Sequence, residues 1–279
     1  MITDAQVHLW NPNTPDDPWE PGAAAHLPEP MPAERMMKLM DEAGIDRAIV
    51  SPANVAPKRS PVCGQAAAAK YPKRFRVMAW FVPTVPEQYQ LLPRWLDQPG
   101  VCSLRLSMNE PEHQKMFADG VFDQVWKACL DQDMPVAIWT RAGPALMEPV
   151  LQKYPNLAYI IDHFGWVAPD DKREAKIKAM ESLARFKNVT VKVSSLPLIS
   201  SGNPPEYDDL HPIIKRVHAA FGADRLMWGS DQTQIMGKNR GSYAQNADIV
   251  RKYAAAYLPA GDVQKMMHDT ATRVFKWPV

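Results

Sequence analysis

Short apolar runs alternate with stretches of helical periodicity along this chain. Strand-like runs, rich in β-branched and aromatic residues, fall at Thr3–Leu9, Arg47–Ser51, Phe75–Phe81, Val101–Leu106, Pro135–Trp139, Ala158–Asp162, Val189–Val193 and Arg225–Trp228. Helix-like stretches lie between them at Pro32–Ala43, Val62–Tyr71, Pro86–Asp97, Val121–Gln132, Ala145–Tyr154, Lys172–Phe186, Tyr207–Phe221 and Tyr243–Tyr257, and Gly261–His268 reads as one more. Pro32 at a first turn and Gly44 just past an end are the expected punctuation of a helix. Leu146, Val150, Leu151 and Tyr154 form an apolar helical stripe.

Strands alternating with helices over 279 residues predict an α/β protein of the (β/α)8 TIM-barrel type, with residues 1–279 as a single domain. An open doubly wound sheet is the competing architecture, but no glycine-rich phosphate loop follows the first strand. A net charge of +1 gives no electrostatic reason to expect a nucleic-acid or anionic-membrane partner. Cys63, Cys102 and Cys129 share no zinc-type spacing, and three is an odd number for a disulfide framework. Together with the lack of a signal-like or membrane-spanning apolar run, this predicts reduced thiols, a cytoplasmic location and no membrane association. Prolines cluster in 11–32 and 195–212, as in long ordered loops kept for function.

In a barrel of this kind the chemistry sits at the C-terminal ends of the strands. Alternation along the first strand puts Gln6 and His8 on one face, a polar pair that suits a cavity better than a core. The sixth strand ends in Asp162-His163-Phe164-Gly165-Trp166, the eighth in Gly229-Ser230-Asp231. Arg105 lies near the end of the fourth, Trp139 and Arg141 close the fifth, and the seventh carries Lys192, Ser194 and Ser195. Taken alone, each has an ordinary structural reading: a satisfied histidine, a capping aspartate, an ion-pair partner. Together they converge on one end of the barrel.

The segments Asp4-Ala5-Gln6-Val7-His8-Leu9-Trp10, Ile161-Asp162-His163-Phe164-Gly165 and Met227-Trp228-Gly229-Ser230-Asp231 resemble the amidohydrolase superfamily. The likeness is to its amidohydrolase-2 branch, which includes pyrone-dicarboxylate and sugar-acid lactonases, and it covers nearly the whole chain. That family usually carries two metal-binding histidines at the end of the first strand, where Gln6 replaces one of them. It often has another after a Pro-Val-x-x run, where this chain has Trp139 after Pro135-Val136-Ala137-Ile138. An amide oxygen is a poor zinc ligand and indole is none.

The resemblance therefore implies a lactone hydrolase without cofactor, acting on a small carboxylated lactone. Asp231 is the expected general base, its effectiveness depending on a pKa moved toward neutrality by burial, with His8 and His163 donating to the carbonyl oxygen and Gln6 as a further donor. Arg105 and Arg141 are the expected carboxylate-binding pair. Trp10, Trp139 and Trp166 would form a flat wall, Asn54 a polar contact, and Lys58 and Arg59 possible further cations. Lys192 matches a family lysine that could equally make a structural ion pair, and His26 in the proline-rich loop reads as solvent-exposed. Open alternatives are a zinc or manganese ion on His8, His163 and Asp231 in a decarboxylase or hydrolase, a lactone isomerase, or a barrel that only binds small acids. A homo-oligomer is compatible with the sequence.

Overall fold

The computed structural model describes residues 1–55 and 62–277; Lys58 and Arg59 lie outside them. Eight parallel strands follow one another around a single sheet: β1 (Thr3–Leu9), β2 (Arg47–Pro52), β3 (Phe75–Trp80), β4 (Val101–Ser107), β5 (Val136–Trp139), β6 (Tyr159–Ile161), β7 (Val189–Ser194) and β8 (Leu226–Gly229). Neighbours in sequence are neighbours in space throughout, with helices covering the outer face, which is the (β/α)8 barrel that the alternating pattern predicts. The strands are buried on both faces, the reason their sequences read as continuous apolar runs.

Helix boundaries depart from the periodicity where tertiary packing intervenes. The stretch 86–97 splits into an α-helix, Pro86–Leu91, and a 3-10 segment, Leu92–Asp97. Unexpected helices occur at Pro111–Ala118, Leu196–Ile199 and Gln232–Gly237, and two of these three follow directly on strand ends that build the site. They are short and proline-broken, so sequence periodicity carries little signal for them.

The lower part of the barrel is closed by an apolar plug. Ala5, Ile49, Met78, Cys102, Ala137, Ile160 and Met227 point inward and meet Phe275 and Trp277 of the C-terminal segment. The upper part is polar. A one-residue register shift between Asp4 and Val7 of β1 separates these two regimes, and above it Gln6 and His8 both face the interior. At the seam between β8 and β1, Asp4 Oδ1 accepts from the backbone N–H of both Gln6 and Ser230 at 2.8 Å, and Asp231 N–H donates to Gln6 O at 2.9 Å. Burial drives the Asp4 carboxyl up to about 6, while hydrogen bonds from Ser230, Tyr243 and Gln6 pull it back. Gly229 packs closely here: an added Cβ would lie 3.2 Å from Gln6 N and 3.3 Å from Ser194 Cβ.

Candidate active site

His163, Ser195 and Asp231 follow β6, β7 and β8 and share one backbone signature. Their φ values of 48°, 56° and 57° all lie in the left-handed region, which costs L-residues about 1–2 kcal/mol each. Three such residues at consecutive strand ends store strain where the side chains must point back into the barrel. No sequence pattern announces it, since none of the three is glycine.

These turns bring the residues together. Asp231 Oδ1 accepts from His8 Nε2 at 2.9 Å and Oδ2 accepts from Ser195 Oγ at 2.7 Å. His8 Nδ1 donates to the carbonyl of Ser51 at 2.9 Å, so both His8 nitrogens face acceptors. Burial would raise the Asp231 carboxyl, but the hydrogen bond from His8 and the nearby imidazoles hold it well below the usual carboxylate range. The shift toward neutrality expected from burial alone is overruled by this bonding.

His163 is fixed just as closely. Its Nε2 lies 3.1 Å from Arg105 Nη2 and 3.2 Å from Gln6 Nε2, and its Nδ1 lies 2.6 Å from Ser195 Oγ. A guanidinium can only donate, so Nε2 is the acceptor and the ring proton sits on Nδ1, directed at Ser195. Burial and the cations around it lower the His163 pKa to about 4. A polar chain thus runs Arg105, His163, Ser195, Asp231. It corrects the donor role expected of His163, which has no free N–H for a substrate oxygen. His8 is likewise committed to Asp231 and Ser51.

Below this chain lies a buried charge cluster. Arg105 Nε donates to Asp162 Oδ2 at 2.6 Å, and Lys192 Nζ sits 2.5 Å from Asp162 Oδ1. Burial opposes the Asp162 charge, but Lys192 and Arg105 keep its carboxyl well below the usual range. Burial also lowers the Lys192 ammonium pKa. Lys192 Nζ donates to Gln6 Oε1 at 2.8 Å, which orients the Gln6 amide so that its NH2 donates to His163 Nε2. Lys192 is therefore structural in geometry. Arg105 Nη1 has no protein partner among the described residues, and Arg105 lines the cavity above, a volume of about 280 Å³.

Gln6, His8, His163, Asp231, Arg105, Arg141, Trp139, Trp166 and Asn54 all line that cavity. The Arg141 guanidinium lies over both Trp139 and Trp166, 5.4 Å from each ring. Trp10 does not line it: the ring is buried behind His26, edge-on at 5.7 Å, which corrects its expected place in the wall. Conversely, His26 is part of the wall rather than a solvent-exposed loop residue. Its ring stands edge-on to His8 at 4.9 Å, with Nδ1 2.8 Å from Thr233 Oγ1 and Nε2 2.9 Å from Gln234 Nε2. Burial and the neighbouring His8 depress its pKa to about 3. Pro52, Trp80, Leu198, Gln234 and Lys238 complete the lining among the described residues, and nothing in their sequence context distinguishes them from surface or core residues.

The Amidohydrolase family profile matches residues 3–277. The chain belongs to the amidohydrolase family. An L-fucono-1,5-lactonase of Burkholderia ambifaria is 34% identical to it over 116 residues, a match spanning 40% of this chain and 39% of that protein. An amidohydrolase of Burkholderia multivorans described with bound zinc superposes with a TM-score of 0.84 at 19% identity, covering 100% of both chains. A Pseudomonas putida protein described as a putative 2-pyrone-4,6-dicarboxylic acid hydrolase gives a TM-score of 0.78 at 18% identity, covering 100% of this chain and 98% of the other.

The zinc in one of these relatives raises the question of whether this amidohydrolase could hold a metal. Among the described residues no group of three or more His, Cys, Asp or Glu side chains has metal-binding geometry. His163 Nε2 faces the Arg105 cation and the Gln6 amide. No helix among the described residues is long and apolar enough to cross a membrane.

Proposed function

We propose that this amidohydrolase opens a carboxylate-bearing lactone by metal-independent hydrolysis. The observation that carries the reading is Arg105 Nη2 at 3.1 Å from His163 Nε2, where a fixed guanidinium supplies the positive charge at the barrel centre. Both a sugar lactonase relative and a pyrone hydrolase neighbour are named for cyclic esters, which supports the reaction class. The cavity lining supports the substrate charge: among the described residues it contains Arg105, Arg141 and Lys238 against the single carboxylate Asp231.

In this reading the lactone carbonyl oxygen accepts from Arg105 Nη1 and from the Gln6 N–H not given to His163. Water held by Asp231 attacks the carbonyl carbon and passes a proton to the carboxylate. The tetrahedral intermediate collapses, the ring C–O bond breaks, and Asp231 returns the proton to the leaving alkoxide, giving a hydroxy acid. His8 and Ser195 orient Asp231, and His163 orients Ser195 and Arg105. Arg141 pairs with the substrate carboxylate while its face stays on Trp139 and Trp166.

The test is hydrolysis of carboxylated sugar and pyrone lactones by chelator-treated protein, followed by a pH indicator, beside the Asp231→Asn variant. Turnover should survive chelation and fall by about 10²–10⁴ in the variant. Turnover that vanishes on chelation and returns with zinc or manganese would refute the mechanism.

A further inference from the structure

The reaction cavity is not the end of the groove. A second cavity of about 330 Å³ adjoins it across β3, β4 and β5, and the two share Asn54, Trp80, Trp139 and Arg141 as a common wall. The first cavity alone, at about 280 Å³, sits just under the range of about 300–1,000 Å³ usual for small-molecule sites. The pair falls well inside it. A one-ring lactone held on Arg105 would leave the second cavity to whatever that ring carries toward Arg141.

The chemistry of the second cavity is specific. Phe81 and Val82 add apolar surface beside the rings of Trp80 and Trp139. Opposite in character are Ser107, Asn109, Glu110 and His113. Two of these are already spoken for: Asn109 Oδ1 accepts from Arg141 N at 2.8 Å, and Asn109 Nδ2 donates to Ser107 Oγ at 3.1 Å. His113 uses Nδ1 on the carbonyl of Ser107 at 3.0 Å, leaving Nε2 without a protein partner among the described residues. Glu110 is exposed and its carboxylate makes no ion pair among the described residues. An unpaired carboxylate repels an anion and accepts from hydroxyls. The only cation of this cavity among the described residues, Arg141, stands at the junction, where the proposed function already uses it.

We infer that the second cavity is a subsite for a neutral, hydroxyl-bearing ring attached to the lactone, stacked on Trp80 and Trp139 and hydrogen-bonded by Glu110 and His113. This rests on the lactonase reading for what the ring is attached to, but not for the subsite itself. A sugar unit and a phenolic ring share that chemistry.

Saturation-transfer NMR with methyl glucoside and, separately, 4-hydroxybenzyl alcohol at millimolar concentration tests the subsite without any turnover. One of the two should receive saturation from the wild-type protein, which decides between sugar and phenol. The signal should fall at least fivefold in Ser107→Trp, which fills the cavity, and severalfold in Glu110→Ala, a change at an exposed position. Failure of both probes to bind, or binding undiminished in both variants, overturns the inference. Where lactones are turned over, Ser107→Trp should also lower the ratio of kcat/KM for ring-bearing over bare lactone about tenfold, and an unchanged ratio counts against the subsite. Probe binding without any lactone turnover would leave the subsite standing and remove the lactonase reading instead.

Discussion

Gly237 ends the helix Gln232–Gly237, and an added Cβ there would lie 2.1 Å from the carbonyl oxygen of His26 and 3.1 Å from its carbonyl carbon. The backbone of Gly237 is not left-handed, and alanine suits a helix better than glycine, so Gly237→Ala perturbs the contact and little else. Ordinary van der Waals separation requires the 23–28 segment to back away by roughly 1 Å. That displacement loosens His26 from Thr233 and Gln234 and opens the edge-on contact between His26 and His8. Overpacking of this kind costs about 1–3 kcal/mol, and a 1 Å misplacement near a reacting centre costs up to about 10²-fold in rate. We expect kcat/KM on the best lactone to drop between 10- and 100-fold, with hydrogen exchange across 23–28 accelerated. Gly261→Ala is the control, because nothing lies within 4 Å of its Cβ and it too sits in a helix. Accelerated exchange across 23–28 with unchanged kinetics would show that the His26 wall plays no part in catalysis.

Arg141→Ala should raise KM for a carboxylated lactone about tenfold or more and leave kcat nearly unchanged, since the pairing exists in ground and transition states alike; equal losses in kcat and kcat/KM would contradict that placement. Lys192→Met removes one partner of the buried Asp162 pair and should destabilise the fold by about 3–5 kcal/mol, read from urea unfolding; a loss below about 1 kcal/mol would mean that Arg105 alone satisfies Asp162. His163 and His26 bind protons more weakly folded, at about 4 and about 3, than unfolded near 6.5. The unfolded state therefore holds more protons between these values, so their contribution to stability grows as pH rises from about 3 to 6.5. Asp4, raised to about 6, opposes this between about 4 and 6. His26→Gln should flatten the rise of Tm from pH 4 to 6.5, and an unaltered slope would mean His26 is charged in the native protein.

The alternation of apolar runs with helical stretches determined the barrel. Each strand buries both faces, so each must be apolar along its length, and that requirement is written in the residues one after another. Polar residues that break such a run, Gln6, His8, Arg105 and Lys192, were legible for the same reason: no barrel core tolerates them unless they serve a cavity or one another. The partners were not legible. His163, Ser195 and Asp231 lie on three separate strand ends, and their left-handed turns arise only when the barrel closes and aims the side chains inward. His26 reads as a polar loop residue until the loop is laid against the helix Gln232–Gly237, and Trp10, an obvious wall residue by its place beside His8, ends up behind it. Sequence fixes which groups are costly to bury. Which charge lies beside which decides whether Asp231 is pushed up by burial or held down by His8 and His163, and that is a matter of contacts between residues far apart in the chain.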